Sequence, residues 1–198
     1  MTNHPLLSDA FCKKFEVFDW RNAIHILNAV HPVEFNELLE TFDLFTLRRS
    51  DIEQGGGNKS PIAKALDERL LTLGWVERKF DTRIVIDKTE FDTPTHKVDC
   101  FKNRIALEVE WNNKDPFFDR DLNNFRLLYD LHVIDVGVIV TRATSLENIL
   151  KASGRSATTY GKATTHTEKL IPKIKGGGAG GCPVVVFGIS AGAYRNDL

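Results

Sequence analysis

A chain of 198 residues, 42% of them hydrophobic, is long enough to bury one substantial core, and its formal net charge of −1 does not announce a nucleic-acid partner. Its three cysteines, Cys12, Cys100 and Cys182, are scattered without any C-x-x-C spacing, which speaks against a zinc site and against a secreted disulfide scaffold. The N-terminus does not read as a signal peptide and no apolar run approaches the ~20 residues of a membrane span, so a soluble, cytoplasmic single domain over residues 1–198 is expected.

Residues 8–45 read as two helices. Ser8 or Asp9 can cap the first, and Phe11, Phe15, Phe18, Ile24 and Leu27 recur at mixed helical spacing. Pro32 breaks the run, and Phe35, Leu38, Leu39 and Phe42 form a second apolar stripe. These aromatics read as core. His25 and His31 read as structural, because no motif places a Cys or Ser partner beside either.

The loop Gln54–Ser60 invites a phosphate-loop reading, but Glu53 and Asn58 stand where the G-x-x-x-x-G-K-[ST] pattern needs glycine. Ser60 instead caps a helix over 61–73 whose first position is Pro61. Lys59 at that helix start is either a plain loop residue or a phosphate contact. Glu68 projects from the helix as an exposed, salt-bridging side chain or as an extra acid for a nearby site.

The centre of the chain carries the chemistry. RIVIDK, residues 83–88, reads as a short strand leading toward Asp99. In RIALEVEW the pleat puts Ile105, Leu107, Val109 and Trp111 on one face, with Ala106, Glu108 and Glu110 on the other. Antiparallel strands over 98–101 and 104–111, joined around Lys102 and Asn103, bring Asp99 to Glu108 across the ladder. Three hard oxygen ligands on one strand edge describe a magnesium site. The bland alternative is a pair of solvent-facing glutamates beside a turn acid.

Next come a polar turn at Asn112, Asn113, Lys114 and Asp115 and a helix over 119–131, with Leu122, Phe125, Leu128, Tyr129 and His132 toward the sheet. Asp119 and Asp121 suit that helix's N-terminal dipole, and Arg126 points to a phosphate or a second subunit. IDVGVIVTR and CPVVVFGI read as buried strands. Between Arg142 and Lys175 lie seven Lys or Arg against two acids. Within this stretch GRSATTYGKATTHT cannot build a core and reads as a long surface loop. Arg155, Ser156, Thr158, Thr159, Tyr160, Lys162 and His166 supply donors and acceptors of the kind that phosphates and base edges require.

The order of Asp99, a nine-residue step to Glu108-x-Glu110, an amphipathic helix and a hydrophobic strand resembles the P-D…(D/E)-x-K nuclease core. It most resembles the BamHI, BglII and BstYI branch of type II restriction endonucleases, from about Ser60 to Tyr194. Three departures stand out: Val98 replaces the proline before the first acid, Glu110 replaces lysine, and Arg78 occupies the position where relatives carry a further site residue. The fourth acidic position is therefore open between Glu68, Glu77 and none.

The resemblance implies an α/β restriction-endonuclease-like fold, a central mixed sheet flanked by helices. Its parts would be a helical region at 1–45, a catalytic core at 60–142, a basic DNA-contact loop region at 143–182 and a final strand at 183–190. It implies Mg²⁺ held by Asp99, Glu108 and the carbonyl of Val109, with Glu110 as general base or water-orienting group. Asn112, Asn113 and Lys114 would meet DNA, Asn113 at a base-reading position. A homodimer would cut a palindrome in double-stranded DNA, GATC-centred with a 5′ overhang, opposed by a cognate methyltransferase in a bacterial or archaeal cell. The alternatives are another nuclease with the same core and a catalytically inactive DNA-binding protein. A glycosidase lacks the aromatic sugar platforms expected of it.

Overall fold

The computed structural model describes residues 4–54, 59–153, 160–161 and 163–198. The chain opens with α1 (Asp9–Lys14), β1 (Phe15–Trp20), α2 (Ala23–Val30), α3 (Pro32–Leu44), β2 (Leu47–Arg48) and α4 (Arg49–Glu53). α5 (Pro61–Thr72) leads into β3 (Val76–Arg78), β4 (Asp81–Ile86), β5 (Thr89–Pro94), β6 (Val98–Lys102) and β7 (Ile105–Glu110). The last part comprises α6 (Pro116–Asp130), β8 (Val136–Arg142), α7 (Glu147–Ala152), α8 (Thr167–Lys175), β9 (Val184–Ile189) and β10 (Tyr194–Arg195).

Six strands form one mixed sheet in the order β1-β9-β8-β7-β6-β3. The inner strands β7, β8 and β9 are parallel, whereas β1, β6 and β3 join antiparallel. Parallel strands covered on both faces read as continuous apolar runs, and VGVIVTR and VVVFGI are buried throughout. On one face Leu107, Val138 and Val185 pack with α2, α3 and α5 through Ile24, Leu38 and Leu66. On the other, Ala106, Ile139 and Val186 pack under α6 and α8 through Phe125, Leu128 and Leu170. The molecule is thus a three-layer α/β structure, as the resemblance implied.

Two positions fix the site-bearing strands. Asn103 and Arg104 both take left-handed backbone conformations, φ 41° and 68°, which a two-residue hairpin turn of matching twist requires. That turn pairs Lys102 with Ile105 and Cys100 with Leu107, and just beyond these pairs Asp99 N–H reaches the Glu108 carboxylate. On β8, Gly137 lets Phe125 of α6 lie against the strand, since a Cβ there would stand 2.3 Å from the ring.

The N-terminal reading needs correction. Ser8 does cap α1, its Oγ accepting from Phe11 N–H at 3.1 Å, and α3 does begin at Pro32. However, the first helix ends at Lys14, and FEVFDW leaves it as an edge strand paired along its whole length with β9. Aromatic and β-branched residues in that run favour a pleated, half-buried surface over a helix. RIVIDK proves to be half of a separate β4–β5 hairpin. The basic region after Arg142 is not a loop throughout: Leu150 on α7 and Leu170 and Ile174 on α8 are buried.

Candidate active site

The β6–β7 hairpin sets Asp99 and Glu108 side by side. Asp99 Oδ2 accepts from Val109 N–H at 3.1 Å, while Asp99 N–H donates to Glu108 Oε2 at 3.4 Å. Two residues on, Glu110 lies at the end of β7, where its carbonyl accepts from Thr141 Oγ1 of β8 at 2.7 Å. Its carboxylate receives Asn113 Nδ2 at 2.5 Å and Arg120 Nη2 at 3.1 Å. The alternation of RIALEVEW therefore puts both glutamates on the α6 face, and both are buried, at 0% and 2% exposure.

α6 contributes two groups that the sequence reading passed over. Asp121, read as a helix-dipole acid, is wholly buried, and its Oδ1 accepts from Arg120 Nε at 2.9 Å and Nη2 at 2.7 Å. The signal was present: Asp121 stands three residues after Phe118 and four before Phe125, inside the apolar stripe, where an unpaired acid is costly. Arg120 lies over the Phe117 ring, 4.5 Å from its centroid, and faces the cleft. His96, just before β6, has a ring nitrogen within 4.8 Å of both Glu108 and Asp121 carboxylate oxygens.

Electrostatics mark this cluster as frustrated. Burial first, then Asp121, Asp99 and Glu110, push the Glu108 carboxyl well above the usual carboxylate range. Burial and Asp121 raise Glu110 to about 8, and burial raises Asp121 to about 6 against the pull of Arg120. Glu108 Oε1 and Asp121 Oδ2 accept from no N–H group among the described residues, and the Asp121 carboxylate shares a hydrogen bond with the Glu110 carboxyl. Orphaned, converging carboxylate oxygens are what a divalent cation would satisfy, so the donor set fits a hard cation. Burial and Arg120 lower the His96 pKa, leaving a neutral imidazole beside the acids.

The cluster opens into a cleft of about 750 Å³. Asn112, Asn113, Lys59 and Tyr160 line it, as does Val109. Tyr160 packs edge-on against Trp111 with ring centroids 6.3 Å apart, and Lys59 is ion-paired to Asp67. Lys114 sits beyond the turn, bridged to Thr164. His166 turns inward instead, buried, with Nδ1 bonded to Thr164 O at 2.7 Å, so it does not face the cleft. Arg155, Ser156, Thr158, Thr159 and Lys162 lie outside the described residues.

Of the three options for a further acid, Glu68 does not reach the cluster. It is 63% exposed and meets Lys64 at 3.7 Å. The acid of α5 that turns inward is its neighbour Asp67, held by Lys59 and by Cys100 Sγ at 3.6 Å. Glu77 reaches the cleft but is paired with Lys97 at 2.7 Å, while Arg78 lies over Phe80 and Phe101. Asp121 from α6 is thus the acid that completes the group, because helix 116–130 packs flat on the sheet face that carries both glutamates.

The sequence profile described as restriction endonuclease BglII/BglIII matches residues 15–189. No curated protein gives a significant match.

Proposed function

With that match running from β1 to β9, the chain belongs to the BglII/BglIII restriction endonuclease family, a type II site-specific deoxyribonuclease acting on double-stranded DNA, and we propose that its reaction is centred on Asp99, Glu108, Glu110 and Asp121. The observation that supports this assignment is the buried convergence of Glu108 and Asp121, each with a carboxylate oxygen that no N–H group meets, beside Glu110 and the half-buried Asp99. Enzymes of this family use a divalent metal. Here Mg²⁺ would be held by Asp99, Glu108 and the Val109 carbonyl, with Asp121 beside them. When bound, such a cation would polarise the scissile phosphate and lower the pKa of a water held there.

The chain's own groups take the remaining roles. Glu110, at the end of β7, serves as the base that receives the proton of the attacking water. Asn113 and Arg120 orient it from either side. Arg120 also places a positive charge where Glu110 has taken the place of the nuclease core's lysine, and that charge can meet the phosphate. Asn112, Asn113, Lys59 and Tyr160, which line the cleft, serve as DNA contacts with Lys114 beyond the turn, and Arg155, Ser156, Thr158, Thr159 and Lys162, outside the described residues, take the same role. The enzyme acts as a homodimer on a palindrome centred on GATC, leaving a 5′ overhang, because a two-fold site mirrors a two-fold protein. A cognate methyltransferase protects the host site.

Digestion of a sequenced, unmethylated plasmid with Mg²⁺ tests the reading. Discrete fragments whose ends share one palindrome, absent with EDTA or in Asp99→Ala, are the expected result. A smear from the wild type would contradict site-specific cutting.

A further inference from the structure

Away from the cleft, His4, Asp19 and His25 bring one ligand atom each to within 4.8 Å of one another. His4 belongs to the turn before α1, Asp19 to the edge strand β1 and His25 to the first turn of α2. The cluster is separate from the acids on β7. Asp19 pairs with Val185, Val185 with Val138 and Val138 with Leu107, so it shares their sheet face. Glu108 lies in the row of Ile139, Val186 and Phe18, on the opposite face. Three strand spacings, about 14 Å, separate the two sites across the sheet.

We propose that His4, Asp19 and His25 form a zinc-class metal site that fastens the N-terminal segment to the β1–α2 corner. Two imidazoles and a carboxylate are a borderline-soft donor set that suits Zn²⁺ rather than Mg²⁺, and three protein ligands leave a fourth position for water. His4 Nε2 stands 3.4 Å from Asp19 Oδ2. Ligand atoms ~2.0–2.1 Å from a tetrahedral zinc lie roughly 3.3 Å apart, so this separation already matches one edge of the coordination shell. The two imidazoles meet edge to face, centroids 5.0 Å apart, with His25 reaching in from the exposed side.

The carboxylate is already oriented. Asp19 Oδ1 accepts from Ile24 N–H at 3.2 Å, which leaves Oδ2 toward the histidines. His4 Nδ1 now accepts from Leu6 N–H at 3.3 Å. Coordination through Nε2 moves the ring proton to Nδ1 and gives up that long hydrogen bond. The competing reading is a plain His4–Asp19 pair with His25 as a bystander.

The test titrates the full chain with Zn²⁺, and with Co²⁺ as a spectroscopic probe, in excess Mg²⁺ so that the carboxylate cluster is occupied. The expected result is one bound equivalent, a visible cobalt band of tetrahedral type and a Zn²⁺-dependent rise in Tm. His25→Ala, at an exposed position, should weaken binding about tenfold or more and abolish the Tm rise while DNA cleavage is retained. Glu108→Gln should leave the bound equivalent in place. Absence of binding, or binding lost in Glu108→Gln and kept in His25→Ala, would overturn the proposal.

Discussion

Glu108 is fully buried between other acids, and burial together with Asp121, Asp99 and Glu110 favours its protonated form. Such a residue is retained at the expense of the metal-free fold. Glu108→Gln should therefore lower cleavage on the order of 1,000-fold while raising the Tm measured in EDTA. A variant that loses activity and melts lower would mean that the carboxylate is a structural partner instead. The pH dependence has a definite sign. The folded state raises Glu110 from the usual 4.5 to about 8, so it binds that proton more tightly than the unfolded chain does. The stabilising contribution is complete below the unfolded value and is lost as pH rises through about 8. Melts in EDTA should fall in Tm between about pH 5 and 8, with Mg²⁺ or Glu110→Gln flattening the slope. A Tm that rises over this interval would contradict the assignment.

At the scale of elements, α6 sets the site because it carries Arg120 and Asp121 while Phe125 fixes its height above β8. Gly137→Ala would drive a methyl group into that ring and should cost about 1–3 kcal/mol by chemical denaturation. Phe125→Leu in the same chain should recover part of the loss; no recovery would mean that the strain lies elsewhere. The β6–β7 hairpin was legible in outline from strict alternation, but its turn lies at Asn103 and Arg104, one residue later than the reading around Lys102 and Asn103, and it is this placement that brings Asp99 to Glu108. β1 was not legible: Phe15, Phe18 and Ile24 also fit a helical spacing, and only pairing with β9, some 170 residues later, decides for a strand. Asp121 was hidden for a related reason. An acid in a helix's first turns satisfies a local rule, and only packing against the glutamate-bearing face shows that it is buried.

At the scale of the molecule, net charge was a poor guide. The chain's charge of −1 averages a basic stretch after Arg142 with acids that the fold draws into its interior. The order of elements, from Asp99 through β7, α6 and β8, was readable because the parallel strands are buried runs and the helix between them is amphipathic. Which layer completes the acid cluster was not readable. Glu68 and Asp67 are neighbours on α5, and a shift of one residue decides whether a side chain faces water or the sheet. The sheet is therefore a platform whose α6 layer, rather than its α5 layer, supplies the last carboxylate. The decisive measurement is the single-turnover cleavage rate as a function of Mg²⁺ for the wild type, Asp121→Asn and Glu68→Gln. Asp121→Asn should be slower by about 100-fold and need more Mg²⁺, with Glu68→Gln matching the wild type. The reverse pattern, loss in Glu68→Gln with Asp121→Asn unaffected, would contradict the placement of the site.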